Sequence, residues 1–298
     1  MCSPEVLRKV SATLAASGRL DRRRFVGVSG AAVIGAAAWH GTAGARQATP
    51  QAGATPVPGS TPGSDAICLN FSTIVDLSHV HGPEFPMFPG AEQMSMEVIV
   101  TIEADGFFKN RLTFDEHTGT HLDAPAHFDP DGDTADLLPP ENFFAPLAVI
   151  DISRRADADP DTAVSRDDLL AWEAVNGQLP AGAFVAMSSG WAARIANPAS
   201  YINLGADGVP HFPGFDLEAA EFLLDEREIV GIGVDTLSQD PGNSTDFATH
   251  VAILGAGKYG IENLNNLDAL PPSGATVIIG APKHLGASGG PARVFAVY

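Results

Sequence analysis

Residues 117–127 have the sequence HTGTHLDAPAH, which places three histidines and one aspartate within eleven positions. These side chains, His117, His121, Asp123 and His127, all occupy odd positions. On an extended strand, residues two and four apart point to the same face, so we expect the four side chains to converge. Imidazole and carboxylate groups together suit a divalent first-row metal such as zinc or manganese. A polar strand held by hydrogen bonds is the alternative interpretation of the pattern.

A helix explains this stretch less well. It would bring only His117 and His121 together, at a spacing of four residues. Pro125 in the following turn disfavours a helix, and Gly119 weakens one. The stretch is therefore predicted to be extended.

A second group of candidate ligands is more scattered along the chain. It consists of His250 and the acidic residues Asp235, Asp240, Asp246 and Glu262. His250 is predicted to lie where a loop meets an apolar strand at 251–254, and Glu262 to begin a short helix at 261–267. A histidine and a carboxylate from this group could complete a one- or two-metal site. Sequence spacing alone does not bring them to the first cluster.

Aromatic residues in loops and at strand ends are candidates for shaping a substrate pocket. They are Phe85, Phe88, Phe107, Phe108, Trp191 and Phe212. We expect Phe88, Trp191 and Phe212 to bind substrate, because several rings in one pocket would favour a planar aromatic molecule by stacking. Packing in the hydrophobic core is the alternative role for each of them.

The apolar runs of the chain indicate a domain with more strands than helices. Strands are predicted at 73–77, 96–102, 147–152, 184–188, 229–234, 275–279 and 293–297, where the residues are mostly β-branched or alternating. Helices are predicted from the N-cap Ser165 to about Val175, and over 217–225 after the N-cap Asp216. This order favours a mixed α+β (α/β) fold, formed as one domain by residues 67–298.

The first 66 residues differ in composition from this domain. Three arginines at 22–24 are followed by a short apolar run at 27–39 and by Ala43-Gly44-Ala45, which fits a small-residue cleavage site. A twin-arginine-type export signal is therefore predicted over residues 1–45, followed by a Pro/Gly/Thr-rich linker at 46–66. This signal implies a periplasmic or extracellular protein with no stable membrane partner after cleavage. An uncleaved amphipathic anchor is the alternative.

Charge and motif content disfavour several functional classes. The chain has a formal net charge of −19, which makes nucleic acid an unexpected partner. Residues 255–260 (GAGKYG) match the glycine pattern of dinucleotide-binding turns, but the acidic ribose ligand that should follow is missing, so no nucleotide cofactor is expected. No Gly-x-Ser-x-Gly elbow occurs, which disfavours a serine hydrolase.

Residues 117–127 also carry a resemblance to a known family. Their pattern, His-x-Gly-Thr-His-x-Asp-x-Pro-x-His, resembles that of the cyclase family of metal-dependent hydrolases, which includes bacterial kynurenine formamidases and isatin hydrolases. The chain matches the motif at every fixed position. Further similarities lie at 76–79 (DLSH), 88–90 (FPG), 189–191 (SGW), 233–236 (GVDT) and 262–264 (ENL). The resemblance covers roughly residues 74–297.

This resemblance implies a swivelling β/β/α domain that assembles as a homodimer or homotetramer. His117, His121 and Asp123 would bind one metal ion, and Asp123 could bridge to a second ion held by His250 and Glu262. His127 would act as the general acid/base. One or two ions of zinc or manganese are expected.

The resemblance further implies a reaction in which metal-activated water cleaves a C–N amide bond. The substrate would be a small aromatic amide or lactam, either an aryl formamide such as N-formylkynurenine or a cyclic amide such as isatin. The long stretch 192–215 is more similar to the isatin hydrolases. A metal-dependent lyase, cyclase or lactonase of the same family is one alternative, and a non-catalytic exported ligand-binding protein is another.

Overall fold

The computed structural model describes residues 70–298 of the 298-residue chain. The predicted export signal at 1–45 and linker at 46–66 lie outside the described residues. Two compact units occur in the described part, Val98–Asn110 and a larger unit formed by Asn70–Glu97 and Arg111–Tyr298. The larger unit contains every residue predicted to bind metal or substrate.

A nine-stranded mixed sheet organises the larger unit. The strands of the described chain are β1 (Ile74–Asp76), β2 (Ser95–Val100), β3 (Lys109–Thr113), β4 (His121–Asp123), β5 (Phe144–Asp151), β6 (Ala163–Val164), β7 (Ala183–Ser188), β8 (Gly214–Phe215), β9 (Ile229–Val234), β10 (Tyr259–Glu262), β11 (Ala275–Gly280), β12 (Gly289–Pro291) and β13 (Arg293–Val297). Their order in the sheet is β1-β13-β11-β5-β7-β9-β10-β4-β12. The pairs from β5 to β10 are parallel and the flanking pairs are antiparallel.

Helices connect many of these strands. The α-helices of the described residues are α1 (Ile102–Asp105), α2 (Ser153–Ala158), α3 (Arg166–Asn176), α4 (Pro198–Ile202), α5 (Leu217–Asp225) and α6 (Ala248–Gly255). Ser165 and Asp168 form a capping box at the start of α3, and Asp216 caps α5 by accepting a hydrogen bond from Ala219 N. Both helices therefore begin where their N-cap residues predict.

Alternate residues of the central strands enter two separate cores. Leu147 and Val149 of β5 pack into one core, whereas Ala148 and Ile150 pack into the other. Helices α3, α5 and α6 contribute apolar side chains to the second core and cover that face of the sheet. We call this second core the helix-side core. The mixed α+β fold predicted from the sequence is confirmed, and its period-two strand pattern is the physical reason for the two cores.

Two predicted elements are wrong. The sequence predicts a strand at residues 251–254, which belong to helix α6, and a helix beginning at residues 261–262, which belong to strand β10. A short apolar run does not distinguish a buried strand from a buried helix, and here tertiary packing decides. Ile253 and Leu254 fill the helix-side core, while Ile261 pairs with strands on both sides. Most of the other predicted strands and helices are present with small shifts at their ends.

The small unit Val98–Asn110 contains the short helix α1, which Thr101 caps and Gly106 ends with a φ of 82°. Large apolar side chains of this unit, among them Val98, Ile102 and Phe108, are exposed. Across residues 70–298, no helix has both the length and the apolar composition needed to cross a membrane.

Candidate metal centre

Strand β4 aligns two of the predicted ligands. Leu122 packs into the core opposite the helices, so its neighbours His121 and Asp123 point to the other face. In the antiparallel pairing of β4 with β10, Glu262 lies opposite His121. His121 Nε2 is 3.3 Å from Asp123 Oδ1 and 3.4 Å from Glu262 Oε2. Strand register therefore brings a distant carboxylate to the motif.

His117 and His127 come from irregular backbone on either side of β4. Gly119, with a φ of 67°, turns the chain between His117 and β4, and His127 ends a 3-10 helix that begins at Pro125. His117 Nδ1 lies 2.6 Å from Asp123 Oδ1, and the rings of His117 and His127 stack with their centroids 3.7 Å apart. The four side chains of the motif meet, although only His121–Asp123 is strand.

His250 reaches the same point from helix α6. Its Nε2 lies 3.1 Å from Glu262 Oε1 and 3.6 Å from Asp123 Oδ2. Asp240 accepts hydrogen bonds from the backbone N–H of His250 and, at 2.6 Å, from its Nδ1, which directs Nε2 toward the two carboxylates. The structure thus brings His250 and Glu262 to His121 and Asp123.

Two acidic residues of the second group lie elsewhere. Asp235 is buried and accepts hydrogen bonds from the backbone N–H groups of Ser189 and Trp191, which ties the end of β7 to the end of β9. Asp246 is exposed and lies in the loop before α6. Neither carboxylate faces the centre.

The buried charges of the centre shift one another's pKa values. Burial would lower the pKa of His121, but Asp123 and Glu262 raise it to about 9. Burial and the charge of Asp123 raise the pKa of Glu262. The pKa of Asp123 is held well below its ordinary value because the surrounding histidines outweigh its burial. Asp123 and Glu262 thus favour a positive charge at His121, and a bound cation would supply that charge in place of a proton.

The donor atoms of the described residues fit a divalent metal. His121 Nδ1 donates to the carbonyl oxygen of Gly119 at 3.0 Å, and its Nε2 is buried without a hydrogen-bond partner. Leaving a buried polar atom without a partner costs stability, and a metal ion would satisfy this one. Two sets of side chains lie close enough to hold an ion, His117 with Asp123 and His127, and His121 with Asp123 and Glu262. Asp123 belongs to both.

Gln239 is a further polar member of the centre, and no motif predicts it. Its side-chain amide donates to Asp123 Oδ2 at 2.7 Å, and its backbone N–H donates to Glu262 Oε1 at 3.0 Å. Its side-chain carbonyl oxygen is buried without a hydrogen-bond partner. A Cβ on Gly260 would overlap the Gln239 amide. Gly260 within strand β10 is the sequence signal for such a close approach.

His127 differs electrostatically from His121 and His250, whose pKa values are raised by nearby carboxylates. Burial lowers its pKa to about 4, with His117 and His250 adding to the effect and Asp123 opposing it. The ring is therefore neutral at neutral pH and can accept a proton. It also lines the cavity above the centre.

A cavity of about 280 Å³ opens onto the centre. Its polar side includes His117, His121, His127, His250 and Glu262, and its apolar side includes Phe85, Met87, Phe88, Phe128, Leu237 and Phe247. Among the described residues that line it there is no lysine or arginine. The cavity therefore suits a largely apolar molecule with one polar group directed at the metal centre.

Of the three aromatic residues expected to bind substrate, Phe88 lines this cavity and the other two do not. Trp191 and Phe212 are fully buried and pack with Tyr201 and Leu237, against which Phe88 also packs. The large apolar area of these two rings draws them into a core of their own. This core lies behind Phe88 and Leu237, which line the cavity. Of the other aromatic candidates, Phe85 lines the cavity, while Phe107 and Phe108 belong to the unit Val98–Asn110.

The long stretch 192–215 supports a ligand of the centre through hydrogen bonds. The hydroxyl of Tyr201 lies 3.0 Å from the carbonyl oxygen of Asp235 and 3.0 Å from Asn263 Oδ1. Asn263 Nδ2 donates at 2.9 Å to the carbonyl oxygen of Gly119, which also accepts from His121 Nδ1. Tyr201 therefore helps to fix the peptide that orients His121.

Comparisons with known proteins indicate the family of this chain. The model of the Cyclase family, described as "Putative cyclase", matches residues 75–241. The chain is 33% identical over 241 residues to isatin hydrolase of Roseibium aggregatum, covering 75% of this chain and 91% of that protein. It is 30% identical over 207 residues to kynurenine formamidase of Paracidovorax citrulli, covering 67% of this chain and 84% of that protein.

A solved structure of an isatin hydrolase is also similar to this chain. Isatin hydrolase A from Ralstonia solanacearum matches with a TM-score of 0.71 and 38% identity, covering 75% of this chain and 91% of that one. The family match begins in β1 and extends past β9, so it includes the whole motif of residues 117–127 as well as Gln239 and Asp240. This chain belongs to the cyclase family of metal-dependent hydrolases.

Proposed function

We propose that this protein hydrolyses a C–N bond in a small aromatic amide or lactam. The observation that carries the proposal is a buried His/Asp/Glu centre at the base of an apolar cavity whose described lining contains no lysine or arginine. The relatives named isatin hydrolase and kynurenine formamidase are hydrolases of non-peptide C–N bonds, which supports this bond class. The higher identity and coverage of the isatin hydrolases favour a cyclic amide over an open formamide.

The metal would be held by His117, His121, Asp123, His250 and Glu262, with Gln239 beside them. When bound, a divalent cation lowers the pKa of a coordinated water toward about 7 and polarises a carbonyl oxygen. Zinc and manganese both suit imidazole and carboxylate donors. Asp123 lies 2.6 Å from His117 Nδ1, 3.3 Å from His121 Nε2 and 3.6 Å from His250 Nε2, which supports a site for one or two ions around this carboxylate.

The protein's own groups position the substrate and move its proton. His127, neutral at neutral pH, accepts a proton from the attacking water and passes it to the amide nitrogen as the C–N bond breaks. The products are a carboxylate and a free amine. The aromatic wall of the cavity keeps bulk water from the reacting carbonyl and holds the apolar part of the substrate.

The test is turnover of a substrate panel by wild type and His121→Ala, each after loading with zinc or manganese. Wild type should hydrolyse aryl formamides or isatin-like lactams and should place oxygen-18 from labelled water in the product carboxylate. His121→Ala should lose both bound metal and turnover, because the unpartnered Nε2 of His121 is removed from the centre.

His284→Ala is the matched control, because His284 is exposed and lies away from the cavity. It should retain metal and activity. Full turnover by a metal-free His121→Ala variant would contradict hydrolysis at this centre. A product without oxygen-18 would indicate a lyase or cyclase instead.

We further propose that the protein forms oligomers and is exported. A homodimer or homotetramer is expected, and the exposed apolar side chains of the unit Val98–Asn110 support an interface there. Sedimentation of the purified protein would measure its oligomeric state. Export through the twin-arginine-type signal over residues 1–45 would be measured by fusing that segment to a reporter.

A further inference from the structure

Phe247 has an unusual backbone conformation for a bulky residue. Its φ is 51° and its ψ is 42°, in the left-handed region. The other non-glycine residues of the described chain with positive φ are all asparagines, Asn203, Asn263 and Asn266. Asparagine tolerates this region, whereas a large side chain is strained there. Such strain persists only where the surrounding structure enforces it, and it concentrates at functional sites.

Hydrogen bonds on both sides of Phe247 hold this conformation. Its backbone N–H donates to Ser244 Oγ at 3.1 Å, and its carbonyl oxygen accepts from Val251 N at 2.9 Å, which begins helix α6. The helix that follows carries His250 into the metal centre. The strained residue is therefore built into the segment that presents a candidate metal ligand.

The left-handed conformation determines where the Phe247 ring points. The ring lines the cavity, with its centroid 5.9 Å from that of His250, 5.8 Å from Phe128 and 6.3 Å from Phe88. A negative φ would rotate the Cα–Cβ bond and swing the ring away from these neighbours. The planes of the three neighbouring rings are inclined to Phe247 by 84°, 51° and 53°. None of these rings stacks in parallel on Phe247, which lines the cavity where a planar ligand would bind.

We propose that Phe247 is the residue that selects a planar aromatic ring in the substrate. The inference rests on the proposed hydrolase function and deepens it. The described cavity lining contains no lysine or arginine that could recognise a second charged group, so selection falls to its apolar and aromatic side chains. Offset stacking or edge contact between rings rewards a flat aromatic group over a puckered aliphatic one of similar size.

The test compares wild type with Phe247→Leu and Phe247→Gly, all loaded with metal. Formanilide and N-cyclohexylformamide serve as substrates, because they differ in having a planar or a puckered six-membered ring. Benzoate and cyclohexanecarboxylate serve as the matching pair in binding calorimetry. Phe247→Leu keeps apolar bulk but loses the aromatic face, so the preference for the planar member should fall about three- to tenfold in both assays.

Thermal unfolding distinguishes a role of Phe247 in substrate selection from a role in packing of the fold. Phe247→Gly removes the ring and relieves the left-handed backbone, so its Tm should equal or exceed that of wild type while the preference for the planar ring is lost. Phe128→Gly is the control, because Phe128 lines the same cavity with an ordinary φ of −123° and packs against the helix-side core. Its Tm should fall.

The outcomes distinguish this inference from the proposed function. If wild type hydrolyses neither these amides nor isatin-like lactams but prefers benzoate, and Phe247→Leu abolishes that preference, the role of Phe247 stands and the hydrolase function fails. If wild type hydrolyses formanilide and Phe247→Leu keeps the same preference in both assays, the hydrolase function stands and the role of Phe247 is overturned. Equal preference in wild type and Phe247→Leu, at whatever level, overturns it.

Discussion

His127 occupies a position in the centre that two chemical roles could use. Its ring stacks on His117 and lies close enough to Asp123 and His117 to share a metal ion with them. Its lowered pKa, about 4, also makes it a proton acceptor at neutral pH. We favour the second role, because a proton must move from water to the leaving nitrogen and the neutral ring of His127 lines the cavity where the substrate would bind.

Replacing His127 by Gln separates the two roles. The expected result is a loss of about 10²- to 10⁴-fold in kcat with unchanged metal content, as removal of a general acid/base gives. Steady-state kinetics and elemental analysis of the same preparation measure both quantities. His284→Gln, at an exposed position, is the control. Loss of metal in His127→Gln would identify His127 as a ligand.

At the scale of elements, pairing between strands and the end of one helix assemble the centre. Strand β4 supplies His121 and Asp123, β10 supplies Glu262 through its register, and α6 supplies His250. The more distant helix α3 packs Leu169 and Trp172 into the helix-side core and contributes nothing to the cavity lining. Helix α3 therefore contributes to stability without lining the cavity, so its stability can be altered separately from catalysis.

Ser165→Ala tests that separation. Ser165 and Asp168 form the capping box of α3, so removing the hydroxyl should lower the free energy of unfolding by about 1 kcal/mol. The value of kcat should not change, because α3 does not touch the cavity. Urea unfolding and steady-state kinetics check the two halves of the prediction, with the exposed Ser72→Ala as control. A large fall in kcat would show that α3 is coupled to the centre.

At the scale of the whole molecule, acid should destabilise the fold partly through His79. Burial lowers the pKa of His79 to about 4, below the value of about 6.5 expected in the unfolded chain. Between these values the unfolded chain binds more protons, so stability falls as the pH decreases from about 6.5 to 4. Allowing for the partial exposure of the ring, this loss amounts to about 2 kcal/mol.

Urea unfolding at pH 7 and pH 4.5, with a chelator present throughout, measures this effect without a contribution from metal. Wild type should lose more stability than His79→Asn over this range, because Asn does not titrate. Asp235 acts in the opposite direction, since burial raises its pKa to about 6 and its cost is relieved by acid, but it is present in both proteins. Equal losses in the two proteins would exclude His79 as the titrating group.

Local features of the sequence predict their counterparts well where they depend on neighbouring residues. The N-caps Ser165 and Asp216 begin helices as expected, and the spacing of two residues puts His121 and Asp123 on one face. The prediction fails where an element depends on its surroundings. The apolar run at 251–254 is a helix because it lies against the sheet, and no local signal records that contact.

The chemistry of this protein can be predicted from a short stretch of its chain. The eleven residues from His117 to His127 carry the donor types, their spacing and the family motif, and these suffice to predict a metal-dependent hydrolase. Packing of the fold brings distant groups to these residues. Strand register places Glu262 opposite His121, and helix α6 positions His250. Gln239 lies beside Gly260, where a Cβ would overlap its amide. At the cavity wall the structure has Phe247, whereas Trp191 and Phe212 do not line the cavity. The reason is physical, because spacing along a chain defines which face a side chain occupies, whereas only packing defines what that face meets.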